Sequence, residues 1–177
     1  AIFLDRDGVL NKPNIINGKP FAPTRFEDFI LYDEIHRFIK DFKKNEYKII
    51  VVTNQKDVGK GIISKNILNK MHNYLKNNIP IDEIRVCTCT NDCDCYKPNP
   101  GMLLEAKNKW KLDIKKCYIV GDSWRDIGAG HNAGCRTILI DRKYKMPMIY
   151  KPDFIVNSLE EAHKVIFNRN GETNEQY

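Results

Sequence analysis

Long hydrophobic runs are missing from this chain of 177 residues, since none approaches the roughly 20 apolar residues that a membrane span needs. Runs of about five or six like charges are also missing, although the net charge is +6, so the basic residues do not form a nucleic-acid-binding arm. No internal repeat or low-complexity linker divides the chain. The length suits one domain with a proper core. We therefore expect a monomeric globular protein that binds neither a membrane nor nucleic acid.

A leader pattern is missing as well. The chain shows no charged segment followed by an apolar stretch and a cleavage site, so nothing in it points to secretion. The cysteines agree with this expectation, because four of the six crowd into "CTCTNDCDC" (87–95). Cysteines this close in sequence are poorly placed for long-range disulfides. Thiols or thiolates in a reducing compartment fit better, and we predict a cytoplasmic location.

The chain does contain a regular alternation of strand and helix patterns. Short apolar runs rich in Ile and Val predict strands buried on both faces, and they span residues 1–4, 47–52, 83–87, 117–120, 137–140 and 153–156. Helical periodicity lies between them, at 34–44, 65–77, 101–110, 124–133 and 159–167. The order predicts an α/β fold, a doubly wound parallel sheet with helices on both faces. We expect one domain over 1–168 and a flexible polar tail over 169–177.

One segment breaks this alternation. Residues 11–30, "NKPNIINGKPFAPTRFEDFI", follow neither the strand nor the helix period and carry three prolines. A loop of this length is uncommon in a compact domain unless it has a function. We predict that it covers a site.

Polar residues stand where the predicted strands end. Asp5 and Asp7 follow the first strand, Thr53 follows the second, Lys97 comes after the third and its cysteine loop, and Asp122 follows the fourth. In open parallel sheets, ligands bind beyond these carboxyl ends. The set supplies carboxylates for a divalent cation, with a hydroxyl and an ammonium for a phosphoryl group. The pattern predicts phosphoryl chemistry at this edge of the sheet.

The aspartates suit separate chemical tasks. A carboxylate beside phosphorus can attack it and form an aspartyl-phosphate, which suits Asp5. Asp7 lies on the same side of the extended chain and can protonate the leaving oxygen, then take a proton from water. Asp5 and Asp122 together would form a platform for Mg²⁺, which prefers oxygen ligands.

Each of these residues also has an ordinary structural interpretation. A single Asp after a strand is commonly a turn residue, and a single Lys is commonly a solvated surface charge. Ser123 and Asp126 match the S-x-x-D capping pattern of a helix start, so Asp126 either caps that helix or supports the metal one turn above Asp122. The coincidence of four strand ends favours the functional interpretation for the other residues.

The motifs "DRDGVLN", "TNQ", "CDCYKPNPGM" and "VGDSWRD" resemble those of the haloacid dehalogenase superfamily, in the small zinc-containing branch that includes heptose bisphosphate and histidinol phosphatases. The resemblance spans residues 1 to about 142. It implies a Rossmann-like sheet with a flap after the first strand, no large cap domain, and Mg²⁺-dependent phosphomonoester hydrolysis. Asp5 would be nucleophile and metal ligand, Asp7 the acid/base and a ligand through its backbone carbonyl, and Asp122 the remaining ligand.

The resemblance also implies that Thr53 and Asn54 bind the phosphoryl group together with Lys97. Two departures lie at the expected substrate mouth. The family tends to carry Arg before the motif Lys and Lys after the motif Asp, whereas this chain has Tyr96 and Ser123 at those positions. Two cations are therefore missing from the mouth, which counts against a second bound phosphate.

The cysteine loop predicts a structural metal site. Cys87, Cys89, Cys93 and Cys95 suit Zn²⁺, which four thiolates bind well, although the branch that the chain resembles typically has His in place of Cys89. The alternatives are free thiols and an Fe–S centre, and ferredoxin spacings differ from this compact pattern. We expect structural Zn²⁺ that stiffens the loop delivering Lys97.

The leading hypothesis is a phosphatase for a small phosphorylated sugar. The segment "NQKDVGKG" (54–61) resembles the heptose bisphosphate group more than the histidinol group, and the expected reaction converts D-glycero-D-manno-heptose 1,7-bisphosphate to heptose 1-phosphate. Histidinol-phosphate hydrolysis is the alternative with the same mechanism. A phospho-acceptor signalling domain is an alternative from another class, but such domains place the accepting Asp at the third strand, which here ends in cysteines.

Overall fold

The six predicted strands form one parallel sheet in the computed structural model, which describes residues 1–91 and 93–171. Along the described residues the strands are β1 (Ile2–Leu4), β2 (Asn14–Ile16), β3 (Lys19–Phe21), β4 (Ile49–Asn54), β5 (Glu83–Cys87), β6 (Tyr118–Gly121), β7 (Arg136–Ile140) and β8 (Phe154–Val156). The α-helices are α1 (Ile35–Lys44), α2 (Lys56–Gly59), α3 (Lys65–Asn78), α4 (Gly101–Trp110), α5 (Trp124–Ala133) and α6 (Leu159–Gly171). The five predicted helices are present, and the short α2 was not predicted.

β1 lies inside the sheet, whose strand order is β5-β4-β1-β6-β7-β8. Its Ile2 pairs with Ile49 of β4 on one side and with Tyr118 of β6 on the other. Parallel neighbours need crossover connections, and α1, α3, α4 and α5 lie in four of them. The connection from β7 to β8, residues 141–153, has no helix. The predicted doubly wound α/β fold is confirmed.

Both faces of the sheet are buried, which explains the continuous apolar runs. Ile2 and Leu4 of β1 belong to the cluster that packs on α1, α3 and α6, whereas Phe3 between them belongs to the cluster with α4 and α5. Alternate residues of a strand point to opposite faces, so neighbouring positions must both be apolar here. Full burial of such a side chain stabilises the fold by about 1.5–3 kcal/mol.

The segment 11–30 contains a hairpin that its sequence pattern did not predict. β2 and β3 pair antiparallel across Asn17 and Gly18, whose φ values are 52° and 79°. Two successive positive φ angles define the type I′ hairpin turn, for which Asn-Gly is strongly favoured, so this dipeptide was the available signal. Pro13, Pro20 and Phe21 line the cleft described below, as expected of a segment that covers a site.

The C-terminal helix extends beyond its predicted end. α6 continues to Gly171, beyond the predicted helix end at 167. The flexible tail over 169–177 stays a prediction, and its positions 172–177 lie outside the described residues. In the part of the chain that is described, none of the helices combines the length and the apolar character required to cross a membrane.

Candidate active site

The carboxyl ends of β1, β4 and β6 open into a cleft of about 170 Å³. Its lining includes eight of the predicted site residues: Asp5, Asp7, Thr53, Asn54, Tyr96, Lys97, Asp122 and Ser123. The other residues that line it are Pro13, Pro20, Phe21, Ala22, Arg125 and Met146. The fold therefore brings the four predicted strand ends to one place. Asp126 lies behind this lining, and the four predicted zinc ligands lie outside it.

Lys97 joins three elements at the wall of the cleft. Its Nζ donates hydrogen bonds to Asp5 Oδ1 (2.9 Å), Asp126 Oδ1 (2.5 Å) and the carbonyl of Val52 (2.7 Å). Burial acts to lower the pKa of this ammonium, which is 2% exposed, but the charges of Asp126 and Asp5 raise its pKa above the usual value. Lys97 is therefore a fixed buried cation beside Asp5.

Asn54 holds the backbone of Lys97 in place. Its Nδ2 donates to the Lys97 carbonyl (3.0 Å), and its Oδ1 accepts from the Lys97 backbone N–H (3.1 Å). These two bonds tie the end of β4 to the segment that leaves the cysteine loop. A residue predicted to bind phosphate thus also positions the predicted ammonium.

Asp126 has contacts that fit both of its predicted roles. Its Oδ2 accepts from the backbone N–H (3.1 Å) and the hydroxyl (2.7 Å) of Ser123, which fixes the start of α5. Its Oδ1 accepts from Lys97. Because the side chain is fully buried, Asp126 acts on the cleft through Lys97 and Ser123.

Three carboxylates crowd together beside Lys97. One oxygen each from Asp5, Asp122 and Asp126 lies within 4.8 Å of the others. Burial and the charge of Asp126 raise the pKa of Asp5 to about 7, and burial and the charge of Asp5 raise the pKa of Asp122 well above its usual value. Both shifts reflect burial and the repulsion among carboxylates that Lys97 does not offset. Oxygen donors in this state fit a hard divalent cation such as Mg²⁺. Both oxygens of Asp126 already accept hydrogen bonds, so Asp5 and Asp122 would hold such an ion.

Gly8 allows the loop after β1 to pass close to Asp122. Its φ is +85°, in the left-handed region, and a Cβ at this position would collide with the Asp122 carboxylate. The Gly8 carbonyl accepts a hydrogen bond from Arg142 Nε (3.0 Å). A side chain at position 8 would therefore displace a candidate metal ligand.

Asp7 is held by donors on three residues. Its Oδ1 accepts from Asn11 Nδ2 (2.9 Å), and its Oδ2 accepts from Arg6 Nη2 (2.9 Å) and Gln55 Nε2 (2.8 Å). The side chain remains 16% exposed, and it lines the cleft. The candidate acid/base residue therefore reaches the cleft in a fixed orientation.

Gln55 links Asp7 to Thr53. The same Nε2 donates to Thr53 Oγ1 (2.9 Å). Because the hydroxyl oxygen accepts this bond, its own proton is left to be donated to a phosphoryl oxygen. Gln55 was not predicted as a site residue, although it stands in the motif "TNQ".

Arg6 connects Asp7 to α3. Its guanidinium is fully buried, and Nη1 lies 3.3 Å from His72 Nε2. Arginine only donates, so Nε2 accepts and the imidazole is neutral. Burial and the charge of Arg6 lower the pKa of His72 to about 4. Neither residue was predicted at the site, since no local pattern joins positions 66 residues apart.

The four predicted zinc ligands converge on one point. Their Sγ atoms are 3.5 Å apart for Cys87 and Cys93, 3.4 Å for Cys93 and Cys95, and 3.6 Å for Cys89 and Cys95. A tetrahedral Zn²⁺ with Zn–S bonds of about 2.3 Å separates its sulfurs by about 3.8 Å. None of the four cysteines forms a disulfide, and their geometry fits Zn²⁺.

Comparisons with known proteins agree on one superfamily. Residues 94–162 match the HAD-hydrolase-like family model. A Campylobacter jejuni protein named D-glycero-alpha-D-manno-heptose-1,7-bisphosphate 7-phosphatase is 35% identical over 150 residues, which cover 82% of this chain and 84% of the relative. A Photorhabdus laumondii protein named D-glycero-beta-D-manno-heptose-1,7-bisphosphate 7-phosphatase is 29% identical over 184 residues and covers 94% of both chains.

Solved structures share the fold. The D,D-heptose 1,7-bisphosphate phosphatase from B. bronchiseptica, complexed with magnesium and phosphate, has a TM-score of 0.78 at 23% identity and covers 95% of this chain and 98% of its own. A HAD-like phosphatase from Mesorhizobium loti has a TM-score of 0.74 at 24% identity, with coverages of 94% and 83%.

Proposed function

The chain belongs to the haloacid dehalogenase-like hydrolases, and on this premise we propose that it is a Mg²⁺-dependent phosphatase that removes the 7-phosphate of D-glycero-D-manno-heptose 1,7-bisphosphate. The observation that carries the proposal is the meeting of Lys97, Asp5 and Asp122 at one cleft, although they come from separate strand ends. The names of the relatives supply the substrate.

Asp5 is the nucleophile in this proposal. One of its carboxylate oxygens attacks phosphorus while the bond between phosphorus and the sugar oxygen breaks, which leaves an aspartyl-phosphate. Asp7 donates a proton to the departing sugar oxygen and then takes one from the water that cleaves the aspartyl-phosphate. The water oxygen leaves in inorganic phosphate, and Asp5 is again a carboxylate.

Donors around the cleft stabilise the phosphoryl oxygens. The Lys97 ammonium, the Thr53 hydroxyl and the amide of Asn54 line the cleft with Asp5, where they would offset the negative charge of the phosphoryl oxygens. Asp5, Asp122 and the backbone carbonyl of Asp7 would hold Mg²⁺, which supplies the charge that lets a carboxylate approach a phosphate. Tyr96 also lines this cleft, and we assign it to substrate binding.

Zn²⁺ has a structural role in the proposal. The four thiolates of 87–95 fill all positions of a tetrahedral ion, which leaves none for substrate. Lys97 follows Cys95 by two positions, so a rigid loop would hold the ammonium in register with Asp5. Cysteines without disulfides also suit the reducing cytoplasm, where we place a single-domain enzyme.

The relatives bear on the anomer of the substrate. The Campylobacter jejuni relative, whose name specifies the alpha anomer, is 35% identical, whereas the Photorhabdus laumondii relative, whose name specifies the beta anomer, is 29% identical. We therefore expect faster turnover of the alpha bisphosphate.

A substrate panel tests the proposed function. Purified enzyme with and without Mg²⁺ is given both anomers of the heptose 1,7-bisphosphate, heptose 7-phosphate, other sugar phosphates and histidinol phosphate, and released phosphate is measured. We expect Mg²⁺-dependent release with the highest kcat/KM on an anomer of the bisphosphate. Highest kcat/KM on histidinol phosphate would transfer the proposal to that substrate, and no release from any compound would refute a phosphatase.

A further inference from the structure

One cation on the wall of the cleft has no task in the proposed reaction. Arg125, near the start of α5, and Lys97 are the two cations among the residues that line the cleft. Lys97 already donates to Asp5, Asp126 and the Val52 carbonyl. The side chain of Arg125 makes no ion pair or hydrogen bond with any residue that the structure describes. Among the lining residues, its guanidinium is therefore the positive group whose donors are available to a ligand.

Stacking holds this guanidinium in place. Arg125 Cζ lies 4.8 Å from the centroid of the Trp124 ring. The Trp124 ring is itself stacked on Tyr150, with centroids 6.3 Å apart and an interplanar angle of 15°. A cation–π contact uses the face of the guanidinium and leaves the N–H donors at its edge unspent. Arg125 is thus ordered without using the donors that would bind an anion.

Among the lining residues there is no further cation, and Lys56, outside the lining, lies with its Nζ 5.7 Å from the centroid of the Tyr96 ring. Tyr96 and Ser123 are neutral and stand where similar phosphatases tend to have cations, while Phe21 and Met146 add apolar surface. A second phosphate on the substrate would bring uncompensated negative charge to this region. Arg125 lies in this lining with its side-chain donors unused.

We propose that Arg125 is a specificity-determining residue that binds the phosphate of the sugar bisphosphate that is not hydrolysed. The inference rests on the proposed function and adds the residue that selects a bisphosphate over a monophosphate. The planar guanidinium can donate two parallel hydrogen bonds to two phosphate oxygens, a geometry that a lysine cannot reproduce. Because Asp122 lies three positions earlier, one strand-to-helix turn would contact both ends of the substrate.

Two variants of Arg125 and one matched control test the proposal. Arg125→Met removes the charge, Arg125→Lys keeps the charge without the fork, and Arg37→Met is the control. Arg37 also lies over an aromatic ring, Phe38, at 5.5 Å, but it is exposed on α1 and does not line the cleft. The zinc-containing enzymes are assayed in Mg²⁺ with heptose 1,7-bisphosphate and with heptose 7-phosphate, which has the same reacting group and lacks the second phosphate.

Loss of a charged hydrogen-bonding partner lowers binding by about 10- to 100-fold. We therefore expect Arg125→Met to lower kcat/KM for the bisphosphate by roughly this factor, mainly through a higher KM, and to affect the monophosphate far less. Arg125→Lys should lose several-fold, and Arg37→Met should match the wild type on both substrates.

Equal losses on the two substrates, or no loss on the bisphosphate, would overturn the role of Arg125. A wild-type enzyme with equal kcat/KM for the two substrates would also overturn it, because there would be no selectivity to explain. Failure of the proposed function gives a different result, since the wild type would then release no phosphate from either compound.

Discussion

The carboxylate cluster and the thiol cluster are both suited to a metal ion, and they are built in opposite ways. Asp5, Asp122 and Asp126 come from distant parts of the chain and meet where parallel strands end, beside an open cleft. The thiols all come from residues 87–95 and lie outside that cleft. The first cluster exists only when the whole sheet is formed, and it borders space for a substrate. The second needs one loop and would surround an ion completely.

This difference shows how the two sites can have different tasks. Ligands that come from distant parts of the chain can leave room for a substrate, whereas ligands from one short loop would enclose an ion. Carboxylates from different strands can share an ion with a phosphate because the protein leaves coordination positions open. Four local thiolates would leave none, so an ion held by them could only fix a loop. Lys97 connects the two clusters, since it follows Cys95 by two positions and donates to Asp5.

Asp5→Asn should give the largest effect, because it removes the nucleophile from the carboxylate cluster. An amide of the same shape cannot attack phosphorus, so we expect kcat to fall by at least about 10³-fold with little change in Tm. Phosphate release and thermal unfolding measure the two quantities. Asp33→Asn, a change at an exposed aspartate, is the control. Near-native turnover by Asp5→Asn would show that another group attacks phosphorus.

Cys93→Ser removes one ligand from the thiol cluster and should have the second-largest effect. Loss of one ligand should release Zn²⁺ and lower Tm by roughly 5–10 °C, because binding of a structural ion contributes to folding free energy. Elemental analysis and calorimetry measure these changes. Cys117→Ser alters a buried thiol outside the cluster, so that variant should keep its zinc. If Cys93→Ser also retained full zinc, the four-thiolate assignment would be wrong.

His72→Gln tests the support of the carboxylate site, because His72 contacts Arg6, which in turn holds Asp7. The pKa of His72 is about 4 in the folded protein and 6.5 when unperturbed, so at intermediate pH the unfolded chain binds a proton that the folded chain does not. The stability from His72 is therefore complete above about pH 6.5 and is lost as the pH falls towards 4. Gln keeps an acceptor for Arg6 without titrating.

We expect the free energy of unfolding of the wild type to fall by about 2 kcal/mol more than that of His72→Gln when the pH is lowered from 7 to 4.5. Urea titrations at pH 7 and pH 4.5 measure the difference. Identical losses in the two proteins would mean that His72 is protonated in the fold.

Asn54→Ala should have the smallest effect and test the link between the clusters. Removing two hydrogen bonds to the Lys97 backbone should lower kcat/KM by about tenfold while the zinc content stays unchanged. Asn45→Ala is a matched control, because Asn45 Nδ2 also bonds a backbone carbonyl, that of Asp41, on the exposed surface. An activity loss with concurrent zinc loss would instead place Asn54 in the support of the thiol loop.

Strand ends could be located from sequence because burial on both faces demands uninterrupted apolar runs. For that reason Asp5, Thr53, Lys97 and Asp122 could be assigned to one edge. The hairpin was missed because Asn17 and Gly18 lie among prolines that break its alternation, although the dipeptide itself marks a turn. Arg6, His72 and Gln55 could not be placed, since their roles depend on contacts between β1, α3 and β4 that no local period encodes.

The backbone N–H of Lys145 donates to the carbonyl of Gly18 at 2.9 Å, so the tip of the hairpin is fastened to the connection between β7 and β8. These two segments contribute Phe21 and Met146 to the lining of the cleft. To move apart, they would have to break this bond, at a cost of about 0.5–1.5 kcal/mol. We therefore expect the two segments to move together and to limit how far the entrance opens, which would favour a small metabolite over a phosphorylated side chain on a folded protein.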